Sequence, residues 1–144
     1  MKALVALASA LVVVSSLPSF GQTVNWNLGG SGGYGATNGN ALSFTQNGVK
    51  VTASAWGYTK DSGNTAFESG KLGQWSPGLG VVNRDENNSS PYHQVDNNIQ
   101  NDYILFVFDK LVDVTSITVT PSPSGYDTDA SYWVGNISSS NLAN

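Results

Sequence analysis

The 144-residue chain has no cysteine, one histidine, two glutamates and only 11% charged residues. Without a thiol there is no disulfide framework, no thiolate zinc site and no cysteine nucleophile. The six Lys and Arg residues are scattered singly, and the formal net charge is −4. No basic stripe exists to neutralise a phosphate backbone, so nucleic acid is excluded as an expected partner. With His93 alone, a catalytic zinc would need mostly carboxylate ligands, an unusual set. A Ser-His-Asp triad could draw on His93 and Asp96, but the G-x-S-x-G elbow is missing. A glycosidase pair needs two carboxylates flanking a bond, one of them usually held in an apolar pocket. Glu68 and Glu86 are the only glutamates, and the aspartates lie in polar loops. No nucleophile, base and oxyanion donor can be assembled, so the chain is expected not to be an enzyme.

What is there begins with a leader. Lys2 supplies a positive start, residues 3–14 form an uncharged apolar run, and Ser19-Phe20-Gly21 places small residues at a cleavage site. The run is shorter than the roughly 20 residues of a membrane-spanning helix, and Pro18 breaks it. Residues 1–21 read as a signal peptide, leaving 22–144 as one exported domain with a net charge of −5 and no membrane association after cleavage. At 40% hydrophobic and 10% aromatic, the chain has the means to build a core.

The exported part reads as strands. Val49, Val51, Ala53 and Ala55 alternate with Lys50, Thr52 and Ser54, the period of a half-buried strand. Asn47-Gly48 before them is a tight-turn signal, so 41–46 and 49–56 form a hairpin. Residues 103–108 are uninterrupted bulky or β-branched, which predicts a central strand covered on both faces. In Val112, Val114, Ile117 and Val119 the alternation changes parity at Thr115-Ser116, as at a bulge. Residues 130–134 predict one more strand, with 25–28 and 79–82 as weaker ones. Loops fill 29–40, 61–64 and 84–101, and 65–71 has the makings of one helical turn. Short strands about ten residues apart with turn residues between them indicate an all-β, antiparallel β-sandwich of jelly-roll type.

Eight of the ten acidic residues fall between positions 85 and 129. Clustered carboxylates and amide oxygens are the hard-oxygen donors that Ca²⁺ takes. EF-hand spacing fails, so a calcium site must be gathered from separate loops, with Asp96, Asn97, Asp102, Asp127 and Asp129 as its ligands. The alternative is acidic residues that are simply solvated or cap turns. Among the aromatics, Trp75 and Tyr92 lie in or beside loops and suit stacking on sugar rings. His93 belongs to the same ligand-binding set as an organiser of its loop. Trp56 and Trp133 end strands and are expected in the core.

Three segments carry a resemblance. They are Leu72-Gly73-Gln74-Trp75-Ser76-Pro77-Gly78-Leu79-Gly80-Val81-Val82-Asn83, Ser90-Pro91-Tyr92-His93-Gln94-Val95-Asp96-Asn97 and Asp102-Tyr103-Ile104-Leu105-Phe106-Val107-Phe108. In this order they resemble the exported domain of PEP-CTERM (exosortase-associated) surface proteins. Asp127-Thr128-Asp129-Ala130-Ser131-Tyr132-Trp133 is similar, shifted by one residue, to the family's later D-x-D-x-S-x-W. The resemblance spans about 41–135. It implies a β-sandwich at or outside the envelope of a biofilm-forming Gram-negative bacterium, associated with extracellular polysaccharide, and it brings no catalytic residues. The family's C-terminal Val-Pro-Glu-Pro motif, apolar helix and basic cluster do not precede Asn144. The expectation is therefore a truncated chain or an unanchored relative. The functional expectation is a secreted, non-enzymatic matrix protein, with a carbohydrate-binding module and a carbohydrate-active enzyme as alternatives.

Overall fold

The computed structural model describes residues 21–35, 37–58, 66–87, 94–95, 100–119, 131–136 and 142. Among these every regular element is a strand, and none is a helix able to cross a membrane. The strands are β1 (Gly33–Tyr34), β2 (Ala41–Gln46), β3 (Val49–Tyr58), β4 (Phe67–Ser69), β5 (Lys71–Trp75), β6 (Gly78–Val82) and β7 (Asn101–Phe108). All pairings are antiparallel, which makes the fold all-β.

The hairpin forms where the turn chemistry puts it. Asn47 and Gly48 have φ of 51° and 73°, the left-handed pair of a two-residue turn whose twist matches the strands. Gln46 then opposes Val49, and pairing continues to Ala41 opposite Ser54. The turn end is fastened to the end of β7. Lys110 Nζ donates to the Gly48 carbonyl at 2.6 Å, and Lys50 N donates to Asp109 Oδ1 at 2.8 Å.

The central strand is β3. It pairs with β7 from Val51 opposite Phe108 to Tyr58 opposite Asn101. Since β7 occupies that whole edge, β2 and β4 share the other. A second sheet runs β1-β5-β6, with Leu72 opposite Val81. The core lies between the sheets. Ala53 and Ala55 of β3 meet Leu72 of β5 and Val81 of β6, all fully buried, with Leu42, Phe44, Leu79, Ile104 and Phe106 packed around them. Burying a side chain of the size of Leu72 or Val81 contributes about 1.5–3 kcal/mol. The alternation along β3 therefore faces the opposed sheet with small alanines.

Its other face is aromatic. Trp56 is buried there, its Nε1 donating to Ser54 Oγ at 2.9 Å. Tyr58 and Phe67 meet tilted, with centroids 5.0 Å apart at 57°, and Phe67 and Tyr103 meet edge to face at 5.3 Å and 72°.

Several sequence expectations need correction. Among the described residues β7 has one ladder neighbour, so it is not central. Its run is apolar because both faces are used: Ile104 and Phe106 fill the core, and Tyr103 joins the aromatic face. Within the expected helical turn at 65–71, Phe67–Ser69 are instead β4, held by Phe67 opposite Tyr58, and Lys71 begins β5, while residue 65 lies outside the described residues. Residues 25–28, 111–119 and 131–134 belong to no ladder. Trp133 is 74% exposed and is not a core residue. The strand β5 lacks a legible pattern because Leu72 is its only aliphatic side chain.

Candidate functional site

Among the described residues the densest polar arrangement sits where β6 ends and β7 begins. Asn83 leaves β6 buried, and its amide holds the corner together. Nδ2 donates to Asp102 Oδ1 at 3.0 Å, while Oδ1 accepts the Asp85 backbone N–H at 3.1 Å. The Asn83 backbone N–H donates to Glu86 Oε2 at 3.3 Å. Gln100, also buried, donates through Nε2 to Asp85 Oδ2. Arg84 turns outward, its guanidinium donating to the carbonyl and hydroxyl of Ser69 at 3.1 and 3.2 Å. Buried polar atoms are costly without partners, so this network fixes the route of the chain between the sheets.

Gly57 of β3 makes the network fit. A Cβ at this position would lie 2.5 Å from Gln100 Oε1 and 2.8 Å from Asn83 Cβ. Gly57 opposes Asp102 in the β3–β7 ladder, so the missing side chain leaves room for the amides beside the buried carboxylate.

Of the five residues expected to bind calcium, Asp102 alone is described. It is buried and accepts the Asn83 amide. Asp96, Asn97, Asp127 and Asp129 lie outside the described residues. Among the described residues no three His, Cys, Asp or Glu side chains gather into a cation cage. The described part of the corner is an amide–carboxylate lock in which neutral amides answer the carboxylates.

Trp75 ends β5, half-buried. Its indole lies on Gly73, where an added Cβ would come within 2.0 Å of Cη2 and 2.3 Å of Cζ3. One ring face is thus packed against backbone, as aromatics do over glycines in sheets. Tyr92 and His93, the other expected ligand-binding residues, lie outside the described residues. Trp75 is therefore the one member of that set with a defined place.

Two depressions mark the described surface. A shallow one of about 420 Å³ is lined by Asn27, Gly29, Gly30, Ser31 and Ser76 and offers hydroxyls, an amide and bare backbone. The other, about 200 Å³, lies between Val114, Thr115, Ser116, Ile117 and Tyr132. Neither brings together an acid and a base. No family model, curated protein or solved structure matches the chain. Function must therefore be argued from the residues themselves.

Sequence reasoning missed Asn83 and Gln100 as organisers. Asn83 closes the Gly78-Leu79-Gly80-Val81-Val82-Asn83 run, and an amide directly after a buried strand is the available signal. Gln100 has a weaker one, standing just before the strand that carries Asp102.

Proposed function

We propose that the chain is an exported, non-enzymatic β-sandwich protein of the bacterial envelope matrix, associated with extracellular polysaccharide, as its resemblance to PEP-CTERM surface proteins implies. The observation that carries this reading is how four of the described carboxylates are used. Asp85 accepts the Gln100 amide, Asp102 the Asn83 amide, and Glu86 and Asp109 accept backbone N–H groups. Asp85, Asp102 and Asp109 each tie one segment to another, and Glu86 closes the turn that follows β6. A hydrolase needs two carboxylates held across a cleft with water or substrate between them. The leader at 1–21 supports export, and the acidic, lightly charged composition suits a hydrated glycan matrix better than a polyanion.

Trp75 favours a second reading, a carbohydrate-binding module. Its ring is braced on Gly73, an orientation that a stacking platform requires. The two readings separate in one set of measurements on the purified exported protein, a reducing-sugar assay and a glycan array. The matrix reading expects no released sugar and at most millimolar monovalent binding. Micromolar binding lost in Trp75→Ala would establish the module instead. Sugar release that disappears in Glu86→Gln would overturn both.

A further inference from the structure

Cleavage after Ser19-Phe20-Gly21 would make Gln22 the first residue of the exported chain. A glutamine in that position differs from one inside a chain, because its own α-amine can reach its side-chain amide carbon. Attack of that nitrogen on Cδ closes a five-membered ring. Both reacting groups belong to one residue, so the entropy cost of bringing two reactants together is already met.

The structure leaves Gln22 open to this reaction. Gly21, Gln22 and Thr23 are exposed and belong to no ladder. A side chain added at Gly21 would meet nothing within 4 Å. No described residue bonds to Gln22, so nothing there holds its amide away from its own nitrogen. Packing begins just beyond. Val24 is half-buried, and Trp26 lies on Phe108 with ring centroids 5.5 Å apart. Phe108 closes β7 opposite Val51 of the central strand. The exported chain would thus start with a short exposed arm, four residues ahead of the indole that covers the end of the sheet.

We propose that Gln22 is a modification site, converted after export into an N-terminal pyroglutamyl lactam. The proposal rests on the leader reading, since only cleavage after Gly21 frees the reacting amine. The lone pair of the α-nitrogen forms a bond to Cδ, the bond from Cδ to Nε2 breaks, and ammonia leaves with a proton given up by the α-nitrogen. No water, oxidant or reductant is consumed. An α-amino group titrates at about 7.7–8.0, so roughly a tenth of it is uncharged and nucleophilic at pH 7.

Two consequences follow for the protein. The lactam carries no charge, so one more cation is lost from an exported part already at −5. It also removes the free α-amine on which aminopeptidases act, and chain termini are where proteolysis starts. The lactam therefore guards the short path to Trp26, whose removal would uncover Phe108.

The test uses protein exported by a Gram-negative host and kept at neutral pH for several weeks. Its N-terminal peptide, read by mass spectrometry, should begin at position 22, be lighter by one ammonia and resist stepwise N-terminal degradation. Aminopeptidase should leave it intact. Gln22→Ala changes an exposed side chain and should melt like the parent, but it should keep a free amine and be shortened by aminopeptidase. A peptide that begins at Gln22 and keeps both its ammonia and its free amine would overturn the modification while leaving the leader reading in place. One that begins at any other residue would overturn both. Equal trimming of the parent and Gln22→Ala would also overturn the proposal.

Discussion

Substituting Gly57 by alanine tests whether the corner network depends on the missing side chain. Gly57 is not among the glycines with positive φ, so the backbone accepts alanine without strain. In open space the change would stabilise a strand by about 0.5–1 kcal/mol. Here the new methyl group would lie 2.5 Å from Gln100 Oε1 and 2.8 Å from Asn83 Cβ. Asn83 Cβ is fixed by the backbone where β6 ends, and cannot swing away. The Gln100 amide is the flexible neighbour, but it is buried and bonded to Asp85. Overpacking of this kind costs about 1–3 kcal/mol, which outweighs the propensity gain. Gly57→Ala should lose about 1–2 kcal/mol, a fall of roughly 5–10 °C in melting temperature for a domain of this size, read by thermal and urea melts. Gln100→Ala removes one of the two obstacles while water can solvate the exposed Asp85. The double variant should thus be more stable than the two single losses predict, by about 0.5–1 kcal/mol. An unchanged or raised melting temperature in Gly57→Ala, or strict additivity in the double variant, would refute the packing argument.

Three further outcomes are expected. Asn83→Ala takes a donor from buried Asp102 and an acceptor from Asp85 N, so it should cost about 2–3 kcal/mol in denaturant titration; a loss under about 0.5 kcal/mol would remove the corner from the fold's supports. Gly48→Ala forces an L-residue to a φ of 73° and should cost about 1 kcal/mol, whereas no change in the urea midpoint would mean that the turn relaxes freely. If Ca²⁺ binds the acidic loops, saturation at about 100 times Kd adds about 2.7 kcal/mol, a rise of roughly 10 °C over the chelated protein. Asp102→Asn should keep the Asn83 hydrogen bond while losing that rise, and identical melts with chelator and millimolar Ca²⁺ retire the calcium reading.

Local chemistry was legible wherever it decided structure locally. Asn47-Gly48 specified its turn, and the alternation of β3 specified which residues face the core. The run at 103–108 was legible as a strand but misleading about its place. Apolar side chains on both faces report that both faces are covered, and the aromatic group around Phe67 covers one without any further ladder neighbour. Two strands were obscured by their brevity. In β4 three residues gain their pairing from Trp56, Gly57 and Tyr58 of β3, and in β5 the outward positions go to Gly73 and to the tryptophan lying on it. The corner was harder still, since Asn83 and Gln100 meet Asp102 only after the chain has turned between sheets. Trp133 was misplaced because a tryptophan among bulky residues looks the same in a core strand and on an exposed segment.

The four tryptophans bear on how such a protein would hold a polysaccharide. Trp26 packs against Phe108 at 5.5 Å, Trp56 is buried, and Trp133 is exposed on a segment that belongs to no ladder. Trp75 is left as the one described indole with a braced ring beside a surface turn. The rings of Tyr58, Phe67 and Tyr103 are tilted against one another by 57° and 72°, so they form no coplanar row on which successive sugars could stack. A single stacked sugar with a few hydrogen bonds is worth about 4 kcal/mol, which corresponds to a millimolar Kd. That is too weak for one domain to retain a glycan. Several copies displayed on one surface would place several Trp75 platforms within reach of one long polysaccharide. Linked binding of this kind raises overall affinity by about 10²–10⁴ when the geometry permits it. Retention would therefore rest on weak stacking multiplied by display: copies arrayed densely on a bead should hold polysaccharide and lose it in Trp75→Ala, whereas copies that bind equally well with and without Trp75 would refute the stacking argument.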